Sequence, residues 1–66
     1  MKEIRFSENL KRLRTESKIT QNELAKMLRV DQRTISAWEN DVCEPDYKTL
    51  AEICEVFGED FNGILT

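Results

Sequence analysis

Only Arg29, Val30 and Asp31 separate two stretches that carry helical spacing of apolar residues, about 21–28 and about 32–40. A link of three residues forces two short helices to pack at a steep angle. Residue chemistry marks both starts. Thr20 opens the first stretch: Glu23 three residues on completes a capping box, and Ile19 and Leu24 occupy the two hydrophobic-staple positions. Asp31 opens the second, with Val30 and Ile35 as staple partners.

Three further helices are expected around this corner. Ser7 can cap a helix running to about Ser17, in which Phe6, Leu10 and Leu13 give apolar spacing of four and three. Asp46, after Pro45, opens the stretch 47–57, and Gly58 closes it. A short helix over about 61–65 follows Asp60. No useful length alternates with period two, so strands are not expected. The predicted fold is all-α: one domain, 1–66, built as a compact bundle of five short helices at about 7–17, 21–28, 32–40, 47–57 and 61–65. Leu10, Leu13, Leu24, Leu28, Ile35, Trp38, Leu50, Ile53, Phe57, Phe61 and Leu65 can meet in its core.

Sixty-six residues suffice for one domain. A chain of this size buries only roughly 60% of its unfolded surface, which leaves little room for both a core and a sheltered catalytic cleft. The composition, 39% hydrophobic and 35% charged, suits a globular chain. Apolar runs are far short of the roughly 20 residues that span a bilayer, and the start MKEIRFSENL has no signal-peptide core. A cytoplasmic protein without a membrane partner is expected.

The helix over 32–40 carries the functional signal. Ile35 and Trp38 point inward, so Arg33, Ser36, Ala37 and Asn40 lie on the outward side, with Gln32 at the exposed first turn. Arg can grip guanine O6 and N7, Gln can grip adenine N6 and N7, and Ser can bond either, while a small Ala admits a thymine methyl. Gln21 begins the preceding helix, where free N–H groups and the helix dipole favour a phosphate. Asn40 is a second phosphate candidate, and such contacts fix register without specifying sequence. Charge is divided in the same sense. Residues 1–38 hold nine basic and five acidic residues, whereas 39–66 hold Lys48 against eight acids, within a net charge of −3.

The runs LKRLRTESKITQNELAKML, TISAWEN and PDYKTLAEICEVFGEDFNGIL resemble the phage repressor and Cro-type helix-turn-helix family over about residues 7–65. The resemblance implies a five-helix fold that binds an operator in double-stranded DNA, with two-fold recognition by a homodimer. Matched position by position, Gln32, Arg33 and Ala37, with Ser36 alongside, are base-facing. Gln21 and Asn40 match phosphate contacts. Arg14 and Glu39 match a structural ion pair between the first and third helices. Two departures stand out. Asp41 replaces the glycine that usually ends the reading helix in a left-handed turn, and Val42-Cys43-Glu44 lacks the basic residues that often reach phosphate.

Other chemistries find no support. There is no histidine, and Cys43 and Cys54 have no metal or redox spacing, so neither metal nor cofactor is expected. Cys54 reads as a small hydrophobe rather than half of a disulfide. Trp38 keeps the period of Ile35 and reads as core. Glu52, Glu55, Glu59 and Asp60 read as a solvated face, which leaves no activated nucleophile or general base. The chain is expected to be a non-enzyme without a small-molecule ligand. A second reading is a protein–protein adaptor of antitoxin or anti-repressor type. Its acidic C-terminal half would bind through exposed Val42, Val56 and Ile64.

Overall fold

The computed structural model describes residues 5–66; Lys2 and Glu3, counted above in the basic half, lie outside the described residues. Five helices follow one another: α1 (Phe6–Glu16), α2 (Gln21–Leu28), α3 (Gln32–Glu39), α4 (Tyr47–Phe57) and α5 (Phe61–Leu65). No strand occurs among the described residues. The fold class is the one the apolar spacing predicts.

Four starts are set by side-chain caps. Thr20 Oγ1 accepts from the N–H of Glu23 at 3.0 Å, and Glu23 Oε1 accepts from the N–H of Thr20 at 2.8 Å, so the capping box is closed in both directions. Asp31, Asp46 and Asp60 accept from the N–H groups of Arg33, Thr49 and Gly63. The first helix departs from expectation. Ser7 lies inside its first turn, and Arg5 takes the N-cap position. Tertiary contacts set this start: Phe6 is buried in the core, and the Arg5 N–H donates to the Leu65 carbonyl at 3.0 Å. The helix ends at Glu16 rather than Ser17, and α3 ends at Glu39, with Asn40 as its C-cap.

The first four helices share one ending. Lys18, Arg29, Asp41 and Gly58 adopt φ of 62°, 59°, 61° and 65°. The next residue then donates back to a carbonyl five positions earlier: Ile19 to Arg14 at 3.3 Å, Val30 to Ala25 at 3.0 Å, Val42 to Ala37 at 2.9 Å and Glu59 to Cys54 at 2.9 Å. These bonds satisfy the last carbonyls of each helix and reverse the chain within a single residue. Ile19 and Val30 pack on the core after their turns, whereas Val42 is 76% exposed.

The core holds Phe6, Leu10, Leu24, Ala25, Leu28, Ile35, Trp38, Leu50, Ile53, Cys54 and Ile64. Leu13, Phe57, Phe61 and Leu65, expected inside, are only partly buried against it. In α5 the register is one residue off: Ile64 is fully buried and Leu65 is half-buried. Neighbouring helical positions differ by about 100°, so a five-residue helix can turn only one of them inward. Of the three apolar residues expected on an exposed adaptor surface, Ile64 is instead inside and Val56 is half-buried, while Val42 is exposed. Cys54 is a buried thiol and Cys43 an exposed one, with no bond between them. The rings of Tyr47 and Phe61 pack at a tilt of 58° with centroids 4.8 Å apart and join the starts of α4 and α5. Packed against α1 and α2, α3 keeps one face inside and the other in solvent.

Candidate nucleic-acid interface

The left-handed Arg29 breaks α2, and Asp31 starts α3 two residues later. This corner sets α3 against α2, with Ile35, Trp38 and Glu39 on its buried face. Arg33, Ser36, Ala37 and Asn40, spaced by three and four, form one stripe on the opposite side. Gln32, Arg33 and Asn40 are exposed, and Ser36 and Ala37 are half-buried. Asn40 Nδ2 donates to Ser36 Oγ at 3.2 Å along this stripe. Arg33 donates to Asp31 from its backbone N–H at 2.8 Å and from Nε at 3.4 Å.

Behind the stripe lies a sheltered polar chain. Arg14 Nε donates to Glu39 Oε2 at 2.6 Å and Nη2 to Glu39 Oε1 at 3.2 Å, with side-chain exposures of 13% and 2%. The remaining arm of Arg14, Nη1, donates to the Ile19 carbonyl at 2.9 Å. Glu39 Oε1 also accepts from Gln21 Nε2 at 2.9 Å, and Gln21 Oε1 accepts from Gln32 Nε2 at 2.6 Å. Arg14, Glu39, Gln21 and Gln32 therefore form one continuous path from α1 through the inner side of α3 and the start of α2 to the outer first turn of α3. Charge-assisted bonds of this kind are the stronger ones, and a fork-to-fork pair also fixes orientation.

Beside this path is an open groove of about 590 Å³, lined among others by Arg14, Lys18, Thr20, Gln21, Asn22 and Gln32. Among the described residues no acidic side chain lines it. The capping box uses the N–H of Glu23, and Gln21 and Asn22, the first two residues of α2, whose N–H groups have no partner within a helix, line this space. Lys18 and the start of α2 share this groove, and a helix N-terminus favours a nearby anion. Lys18, which sequence reasoning did not single out, is among the lining residues. The available signal was a basic residue two positions before a strong N-cap, where the turn brings the side chain back over the helix start.

The structure brings Gln21, Gln32, Arg14 and Glu39 together directly, and Ser36 and Asn40 as a pair. Arg33 stands apart from the polar path and bonds only within its own turn. Past Asn40, the segment from Asp41 to Glu44 is exposed and carries acids at both ends.

Comparison with known proteins agrees with this geometry. The chain is 38% identical over 60 residues to the uncharacterized HTH-type transcriptional regulator YqaE of Bacillus subtilis (strain 168), a match over 91% of this chain and 52% of that protein. It superposes on a transcriptional regulator from Listeria innocua with a TM-score of 0.92 and 25% identity, over 97% of this chain and 60% of the other. The chain thus spans about half the length of the curated relative and somewhat more of the structural one. Both are named as transcriptional regulators, not enzymes. The helix-turn-helix family pattern matches residues 10–64, and the chain belongs to that family.

Proposed function

We propose that this chain reads double-stranded DNA by seating α3 in the major groove, and that it acts as a transcription regulator, most simply a repressor that blocks polymerase from its operator. Gln32, Arg33, Ser36 and Ala37 read base edges. Gln21 and Asn40, joined by Lys18, hold phosphates on either side. The protein binds as a homodimer on a palindromic site with half-sites about 34–36 Å apart, one turn of the duplex. The work is done in the cytoplasm; no helix among the described residues is long and apolar enough to cross a membrane.

One observation carries this reading: α3 presents a stripe of polar and small side chains to solvent while Glu39, on its opposite side, is locked to α1 and α2. A helix fixed in this way can enter a groove about 12 Å wide without losing its own packing. Selection of bound sequences from a random duplex pool, followed by titration at several salt concentrations, tests it. The reading requires an enriched inverted repeat and an affinity that falls with salt. Absence of binding at low salt overturns it.

A further inference from the structure

We infer that Asp31 is a positioning residue for Arg33, holding its guanidinium so that the free end-on fork faces a guanine. This rests on the DNA-reading function proposed above. Asp31 Oδ1 accepts from the Arg33 N–H at 2.8 Å, which is all that capping α3 requires. The carboxylate does more. Oδ1 also takes Arg33 Nε and Oδ2 takes Nη2, both at 3.4 Å. Residues two apart do not face each other within a helix. The pair meets only because Asp31 sits at the extended N-cap, with φ of −75° and ψ of 145°. At side-chain exposures of 89% and 57%, such a pair adds little to folding.

Its consequence is geometric. Guanidinium has two forks, and Asp31 occupies the Nε/Nη2 edge. The Nη1/Nη2 end stays open, in the plane that bidentate pairing with guanine O6 and N7 needs. The Asp31 carboxyl is held below the usual carboxylate range, first by the Arg33 backbone N–H and then by its guanidinium, so the brace is charged throughout the neutral range.

The test uses Asp31→Asn and Asp31→Ser, which keep a capping acceptor, with Arg33→Ala to identify the base pair that Arg33 reads. Binding is measured on the selected operator, on its variants at that pair, and on random duplex. The expected result is a loss of about fivefold or more in guanine preference at that pair in both Asp31 variants. Thermal unfolding shifts only slightly, because a neutral capping acceptor remains, and random-duplex affinity is equal or higher because an acid has left the proposed DNA-facing side. In an Arg33→Ala background the Asp31 variants change base preference no further. An unchanged or sharper guanine preference in both variants overturns the role of Asp31 and leaves the DNA-reading function standing. A parent chain that retains no duplex overturns both.

Discussion

Gln32 Nε2 donates to Gln21 Oε1 at 2.6 Å, so the first turn of α3 is tied to the first turn of α2 across eleven residues of sequence. The same Gln21 reaches back to Glu39 through Nε2. One amide therefore spans the exposed first turn of α3 and the buried ion pair. Replacing Gln21 by Ala leaves Glu39 short of a donor, a loss of about 1–3 kcal/mol, and releases Gln32. Thermal melts should show a clear drop, since about 1 kcal/mol moves a domain of this size by roughly 4–8 °C. Gln32→Ala should leave the melt nearly unchanged and alter the selected base sequence. Equal melts for the two variants would refute this division of labour.

Breaking the Arg14–Glu39 pair should be more severe. Arg14→Ala or Glu39→Ala strands a charge among atoms that are almost fully enclosed, at a cost of about 3–5 kcal/mol. Small domains hold few kcal/mol in reserve, so each single variant should be largely unfolded near 37 °C. The double change Arg14→Met with Glu39→Met removes both charges and should recover much of the loss in urea unfolding, because apolar replacements of a buried pair are often near neutral. A double variant no more stable than the singles would contradict this account.

Much of this was legible in residue types, and the misses have physical causes. Thr20 with Glu23, Asp31, Asp46 and Gly58 announce their helix ends by chemistry that acts within four residues, and the chain follows them. Ser7 was a plausible cap, yet Phe6 in the core and the Arg5 bond to Leu65 set that start by contacts from the far end of the chain. Ile64 and Leu65 are adjacent apolar residues in a helix too short to show a period, so sequence could not say which turns inward. In the candidate interface, the stripe Arg33, Ser36, Ala37 and Asn40 follows from helical spacing alone. The shared use of Gln21 by Glu39 and Gln32 does not, because it depends on how α1, α2 and α3 are placed.

The left-handed positions give a stability prediction of opposite sign. Lys18, Arg29 and Asp41 carry a Cβ at φ near 60°, which costs about 1–2 kcal/mol for an ordinary residue. Glycine removes that cost and returns roughly 0.5–1 kcal/mol of it in chain entropy. Arg29→Gly should therefore raise the melting temperature by a few degrees, and Asp41→Gly by less, since Asp tolerates this conformation better than Arg. Arg29→Val should lower it. A fall with Arg29→Gly would mean that the Arg29 side chain stabilises the corner in some other way.

Acid should weaken α4 from its start. The Asp46 carboxyl is held below the usual range mainly by hydrogen bonding from Thr49, side chain first and then backbone N–H. A carboxyl lowered in the folded state contributes stability that is fully present above its unfolded pKa and is lost as pH falls through its folded value. The parent should lose part of its stability in this way between about pH 5 and pH 2. Asp46→Asn keeps a capping acceptor but does not titrate. Melts recorded down this range should fall less steeply for the variant, and parallel curves would rule the contribution out.

The sharpest test of how the chain meets DNA is the salt dependence at Lys18. Net charge is −3, and the loop after α3 displays acids, so in the proposed complex a small number of bases carry the phosphate contacts. Arg14 lines the groove but its charge is matched by Glu39, which leaves Lys18 as the uncompensated cation among the groove's lining residues. Each phosphate neutralised contributes about −0.9 to the slope of log affinity against log salt. Lys18→Asn removes the charge with a residue that accepts a left-handed backbone, so the fold should be undisturbed. The slope should become shallower by about 0.9, nearly equally on selected and random duplex, because phosphate contacts do not read sequence. Lys48→Gln is the control: Lys48 is exposed in the first turn of α4, in the acidic half and outside the groove. It should leave the slope within error of the parent. If both substitutions flatten the slope alike, DNA responds to overall charge alone, and the groove at the start of α2 has no special part in holding it.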